Sequence, residues 1–327
     1  MRPITYVVLA TALVLSASAA TAQDPSTGSG WPQHPVKVIV PFAAGGNTDV
    51  QARIVCGRLS NDLGQQFVVE NRVGAAGAIA AEYVAHSPAD GYTLFFSSSP
   101  QISVVPLVQK VNYDPVKDFM PITIVGTNPF VLGVQASLPV NDFPGFVKYV
   151  KEHQGLLNYA SGGAGSIGHL SAALFLARAG LVMTHIPYKG GAPAVQDLVA
   201  GQVQMYFGNA SELLQHAKSG KIKLLAVSSE KRARQLPDVP AVAEYYKGFR
   251  TITWNGFLAP TGTPQPVIDT VAREVARIVR EPEIVANLEK IGVDPLGNTP
   301  AQFAAFLRAE APVWRDAVKA AGVRPEQ

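Results

Sequence analysis

A short apolar run that turns through adjacent glycines into a helical pattern constrains this chain most. It reads Val38-Ile39-Val40-Pro41-Phe42-Ala43-Ala44-Gly45-Gly46-Asn47-Thr48-Asp49. The run has strand character. After it, Ala52, Val55, Leu59 and Leu63 recur at helical spacing, with Gln51, Arg53, Arg58 and Asp62 off that stripe. Gly64 supplies the stop. A glycine turn feeding a helix leaves backbone N–H groups unpaired, and with the positive end of the helix dipole they attract anions. Thr48 or Asp49 can cap this end. A capping Asp49 opposes an anion, so Thr48 is the better candidate contact. An ordinary βα turn without a ligand fits the same residues.

The unit recurs. Val36–Val40 reads as the first strand and Phe67–Asn71 as the second. A turn with Gly74 and Gly77 precedes an alanine-rich helix to about residue 86. A third strand over 92–96 ends in Ser97-Ser98-Ser99-Pro100, and two more strands are expected over 122–125 and 130–134. A second series starts near Leu138. It has a helix over 143–153, a strand Asn158-Tyr159-Ala160, and the loop Ser161-Gly162-Gly163-Ala164-Gly165-Ser166. A helix with Ile167, Leu170, Leu174 and Ala177 on one face follows. Strands over 183–187, 204–207 and 223–227 flank a helix over 194–200. Beyond Pro260 the pattern is mostly helical, with a Val267, Val271, Val275, Ile278 stripe and a last helix holding Phe303, Leu307 and Trp314. Such alternation implies parallel pairing with right-handed crossovers. Two units with glycine-rich βα turns would face each other across a cleft at the strand carboxyl ends.

Composition narrows the class. With 327 residues, 47% hydrophobic, and a net charge of +3 without a Lys/Arg run, the chain reads as about two globular domains and not as a nucleic-acid binder. Residues 1–22 read as a secretory signal: Arg2, an apolar stretch over 4–15, and Ala20-Thr21-Ala22 before cleavage, giving a start near Gln23. The mature chain is expected to be exported, soluble and free of disulfides. Cys56, the sole cysteine, reads as a small buried hydrophobe. Six histidines and one cysteine form no metal-ligand spacing, and no cofactor is expected.

Several motifs stand in fixed order. They are 40–49 with Ala52-Arg53, Val69-Glu70-Asn71-Arg72 with Gly74 and Gly77, Asp90-Gly91-Tyr92-Thr93-Leu94, and Tyr113-Asp114-Pro115 with Asp118-Phe119. Then follow Asn158-Tyr159-Ala160-Ser161-Gly162 with Gly165, Ser166 and His169-Leu170, and Pro187-Tyr188-Lys189-Gly190-Gly191-Ala192-Pro193-Ala194. Leu236-Pro237-Asp238-Val239-Pro240 and Ala259-Pro260 with Gly262-Thr263-Pro264 close the series. Together they resemble the extracytoplasmic solute receptors of tripartite tricarboxylate transporters, the Bug family.

The resemblance implies a two-domain periplasmic binding protein of type II-like α/β fold, each domain a mostly parallel sheet flanked by helices. Residues 33–126 plus 257–327 would form one domain and 127–256 the other. It implies a monomer that closes on a small organic carboxylate and hands it to inner-membrane permease subunits. By position, Phe42 through Asp49 and Ser161, Gly162, Ala164, Gly165, Ser166 and His169 would hold the carboxylate, partly through water. Ser98, Tyr188, Phe207 and Asn209 are further candidates. The family's Phe-Asp-Asn is Phe207-Gly208-Asn209 here, so an amine contact is missing. That favours a mono- or dicarboxylate without an amine, aromatic acids included.

Two rivals remain at this level. Gly163-Ala164-Gly165-Ser166-Ile167-Gly168 has dinucleotide spacing, but residues 184–189 lack the acidic partner. Read as a nucleophile elbow for a secreted hydrolase, the same stretch lacks its first glycine, although Asp197 and His216 follow in triad order. The other rival, a ligand-binding partner of a sensor kinase, shares fold and cleft.

Overall fold

A computed structural model describes residues 30–323. The signal segment and its cleavage point lie outside the described residues. The first half runs β1 (Val36–Val40), α1 (Asn47–Leu63), β2 (Phe67–Asn71), α2 (Ala78–Ala85) and β3 (Thr93–Ser98). A π turn (Pro100–Val104) and α3 (Val105–Val108) lead into β4 (Phe119–Gln135). Then follow α4 (Phe143–Glu152), β5 (Asn158–Ser161), α5 (Ile167–Ala179), β6 (Thr184–Pro187), α6 (Gly191–Ala200), β7 (Met205–Asn209), α7 (Ala210–Lys218) and β8 (Ile222–Val227). β9 (Ile252–Pro260), α8 (Gln265–Ile278), α9 (Pro282–Lys290), β10 (Asp294–Pro295) and α10 (Pro300–Ala320) complete the order.

Local signals set several of these elements. Gly64 takes φ 69° and donates its N–H to Ser60 O at the end of α1. Ala52, Val55 and Leu59 bury their stripe against β1, β3 and α8. Gln51, placed off the stripe, is nevertheless buried, its amide donating to Asn47 Oδ1 at 2.5 Å. Cys56 is buried inside the same cluster, and burial pushes its thiol up.

The sheet order is β2-β1-β3-β9-β4-β7-β5-β6, with β8 and β10 also on β4. β1 pairs with β2 and β3 in parallel, and β5 with β6 and β7 in parallel, as the alternation predicts. The remaining pairs, all made by β9 or β4, are antiparallel. The sheet is therefore mixed and not mostly parallel. The reason is that β9 and β4 are return strands, not crossover strands.

The two strands expected over 122–125 and 130–134 are one. Gly126-Thr127-Asn128-Pro129 reads locally as a turn, but Asn255, Trp254, Thr253 and Ile252 of β9 pair with it and keep it extended. From Phe130 onward β4 changes partners to β7 and β8. On α5 the expected face is also too narrow. Its buried set runs from Ile167 through Leu176, whereas Ala177 is exposed. α5 lies between the second half's strands and α10, so it is apolar almost all round. α10 serves both halves. Phe303 meets Trp254 edge-on at 4.9 Å, and Trp314 joins the core of α4, α5 and β7.

Candidate functional site

A cavity of about 510 Å³ opens at the carboxyl ends of four strands. Phe42 follows β1, Ala76 follows β2, Pro100 follows β3, and Gly162 through Ile167 joins β5 to α5. Val104, Val105 and Val108 form an apolar wall, and Val323 beyond α10 closes one side. Among the described residues no charged side chain lines it. Such a space suits an apolar body whose charge meets neutral donors.

Those donors come from the loop before α5. Gly163 and Gly165 take φ 139° and 75°, which a side chain would strain. Ser166 is the N-cap, its Oγ accepting from His169 N at 3.3 Å. The N–H groups of Ile167 and Gly168 have no partner among the described residues, so α5 presents two open donors and its positive dipole end.

Two expected contacts, His169 and Ser161, are bonded within the protein. His169 is buried and accepts from Gly165 N at Nδ1, 3.0 Å. Its ring stacks on His185 at 3.7 Å and 6°. Ser161 is fully buried. When its hydroxyl donates to Gly163 O at 3.0 Å, its Oγ accepts from His185 Nε2 at 2.7 Å and from Gly163 N at 3.2 Å. The pair of imidazoles thus braces the loop from behind.

Burial and the neighbouring His185 bring the His169 pKa down to about 4. A depressed histidine stabilises the fold above about 6.5, and that contribution is lost as pH falls through about 4. Chemical unfolding over this window is expected to show a loss in the parent that His169→Asn lacks. Equal slopes in both would remove His169 as the brace.

The first loop is arranged differently. Ala43, Ala44, Gly45, Gly46 and Asn47 are exposed just beyond Phe42. Asp49 does not cap α1. Burial raises its pKa, but Arg53 at 2.9 Å, Gly45 N at 2.8 Å and Asn71 at 2.8 Å bring it below the usual range. Thr48 donates to Asn255 Oδ1 at 2.9 Å. Gly46 is the N-cap without a side-chain cap, and the N–H groups of Asn47, Thr48 and Asp49 have no partner among the described residues.

At the β3 tip, Ser98 Oγ donates to Gln101 Oε1 at 3.0 Å. The neighbouring Ser99 Oγ is buried without a partner among the described residues, beside cavity-lining Pro100. Ser99→Ala is expected to leave stability unchanged and weaken ligand binding by about 1 kcal/mol, read by calorimetric titration. A destabilised fold with full affinity would contradict this.

The other candidates lie off the cavity. Tyr188 donates to Asp197 Oδ2 at 2.6 Å, Phe207 is core, and Asn209 caps α7 with its N–H on Glu212 at 3.3 Å. The cavity thus gathers Phe42, Gly162, Ala164, Gly165 and Ser166 from the sequence-derived set. Ala76 and the wall 104–108 escaped it because apolar residues carry no motif. Ala75 and Ala76 at φ 46° and 53° are backbone outliers that a sequence does not show.

Residues 51–323 match the model of the tripartite tricarboxylate transporter family receptor. The chain belongs to this family. The receptor is 35% identical over 303 residues to Protein BugT of Bordetella pertussis, covering 92% of this chain and 93% of that one. An R. palustris protein solved with adipate matches it at TM-score 0.76 and 36% identity, over 90% of this chain and 100% of that one. MatC from Rhodopseudomonas palustris, solved with malate, matches at TM-score 0.70 and 32% identity, over 88% and 100%. The fold is therefore that of the two-domain solute receptors. In this receptor the glycines with dinucleotide spacing serve the loop instead. Two hold positive φ, and Gly168 lets α5 approach Phe207 O. Asp197, offered above to a hydrolase triad, is held by Tyr188. Among the described residues, no helix is long and apolar enough to cross a membrane.

Proposed function

We propose that the receptor captures a small organic mono- or dicarboxylate with an apolar body, in the periplasm, and delivers it to a tripartite tricarboxylate permease. The observation that carries this reading is the cavity itself. It joins a wall that is mostly aliphatic and, among the described residues, uncharged to the open N–H groups at the start of α5. Neutral donors hold a carboxylate without the desolvation cost of a buried cation, and each contributes roughly 1.5–3 kcal/mol before costs. Two or three would support micromolar affinity, about −8 kcal/mol. Adipate and malate in two relatives agree with this ligand class.

The missing acid at Gly208 has a structural counterpart. A Cβ there would lie 2.1 Å from the Tyr206 ring, so an aspartate would have to displace a buried aromatic. Site residues are proposed as Phe42, Ser99, Gly162, Ala164, Gly165 and Ser166, with 43–48 beside them. The domains are proposed to part along β4 and β9.

The test is calorimetric titration of refolded mature protein with aliphatic dicarboxylates, benzoate-type acids, citrate, aspartate and glutamate. An apolar acid is expected to bind most tightly. Tightest binding by aspartate or glutamate would overturn the assignment.

A further inference from the structure

Glu310 on α10 is 3% exposed. Its Oε1 accepts from Ser103 Oγ and from Trp254 Nε1 at 2.9 Å, and its Oε2 accepts from Trp314 Nε1 at 3.3 Å. Each partner belongs to a different part of the receptor. Ser103 is in the π turn, whose Pro100 and Val104 line the cavity. Trp254 is on the return strand β9, packed against Phe303. Trp314 sits in the second half's core, and the same helix leads to Val323 at the cavity.

All three partners donate to the carboxylate, the two indoles as donors only and Ser103 as a hydroxyl that can also accept. Protonation would turn one oxygen into a donor, and an indole N–H cannot accept. The acid form must therefore give up the Trp314 bond or disturb the pair on Oε1.

We propose that Glu310 is a positioning residue for ligand capture: ionised, it holds the Pro100–Val104 turn against β9 and so sets one wall of the cavity. The proposal rests on the carboxylate reading of the site.

Its surroundings make this testable. Burial lifts the Glu310 carboxyl to about 7, against the pull of Ser103, Trp254, Trp314 and Arg250. The Arg250 guanidinium itself lies over the Phe306 ring at 4.7 Å. Of the elements packed on α10, β4, α3 and the π turn carry no charged side chain, nor does β9. α5 brings His169 and Arg178, α8 brings Asp269, Arg273, Glu274 and Arg277, and α10 itself has Arg308, Arg315, Asp316 and Lys319. None of these bonds Glu310 among the described residues.

A carboxyl raised from 4.5 favours folding in its protonated form. That stability is present below about 4.5 and is lost as pH rises through about 7. Ligand capture should have the opposite slope, since it needs the ionised form. A side chain that only filled space would give affinity no such slope.

The experiment pairs two readouts between pH 5.5 and 8.5. Two of the three tryptophans donate to Glu310, so emission of the ligand-free protein reports its ionisation. The transition is expected near pH 7 in the parent, absent in Glu310→Gln, and at higher pH in Ser103→Ala, which loses a donor to the carboxylate. Affinity for the tightest acid of the panel should rise about tenfold over this range in the parent and stay at the weaker value in Glu310→Gln.

A transition that persists in Glu310→Gln, or parental affinity independent of pH, would overturn the proposal. Should Glu310→Gln not fold, the Ser103→Ala midpoint and the parental affinity slope decide. Failure of every acid to bind counts against the carboxylate reading alone, and the emission titration then decides the role of Glu310.

Discussion

Ala164→Asp is expected to lower carboxylate affinity more than tenfold while moving the ligand-free melting temperature by no more than about 2 °C. Ala164 is exposed and lines the cavity, two residues before the Ser166 cap of α5. The new side chain buries nothing and breaks no contact. It places a negative charge beside the open donors of Ile167 and Gly168, which are proposed to hold the carboxylate. Two unit charges about 5 Å apart repel by about 3 kcal/mol at an effective dielectric of 20, and screening leaves a part of this. Even half exceeds the 1.4 kcal/mol of a tenfold change.

Titration of the variant with the tightest acid of the panel reads the effect. Unchanged affinity would take the α5 loop out of the site. Gly46→Asp asks the same of the first loop. Gly46 has φ −72°, which any residue adopts, and an added Cβ would lie 3.3 Å from Ala43 O, so the exposed turn must give slightly; an aspartate N-cap is slightly better than glycine. Weaker binding there would bring the end of α1 to the ligand. Full affinity would confine the anion contacts to α5.

Gly168→Ala is expected to cost about 1–3 kcal/mol of stability and to weaken binding as well. An added Cβ would lie 2.4 Å from Phe207 O, a backbone atom of β7 that no rotamer can move. Either α5 backs away from β7 or the strand bends, and both displace the helix end that faces the cavity. At this chain size the melting temperature should fall by about 3–10 °C. Gly165→Ala is the control. Gly165 has no atom within 4 Å of its would-be Cβ, so only its φ of 75° is strained. A Gly168→Ala protein that melts and binds like the parent would show that the close approach is not needed.

Both predictions fall in the glycine-rich turn into α5 that the sequence displays openly, and much of the fold is of that kind. α1 with its Gly64 stop, the strands over 36–40 and 67–71, and the loop 161–166 follow from local spacing and turn chemistry. So does the place of the cavity, because parallel βα units put their loops at the strand carboxyl ends. The ordered motifs also sufficed for the family.

What escaped was decided by residues distant in the chain. β9 carries no alternation signal, yet it pairs with both β3 and β4 and holds 126–129 extended against their own turn preference. Hydroxyl roles went the same way. Ser98 and Ser99 are equivalent in sequence, but Gln101 takes the first, and the buried second finds no partner among the described residues. Ser161 and His169 read as ligand contacts, and His185, sixteen positions after His169, stacks on His169 and bonds Ser161.

The sequence alone determined which segments turn, which cap, and which end of the strands offers donors, since these depend on neighbours a few residues apart. The tertiary structure alone decided which donors stay free, which polar groups are consumed as scaffold, and which aliphatic side chains wall the cavity. Those outcomes depend on burial and on hydrogen-bond partners far away in the chain, and no local pattern records them.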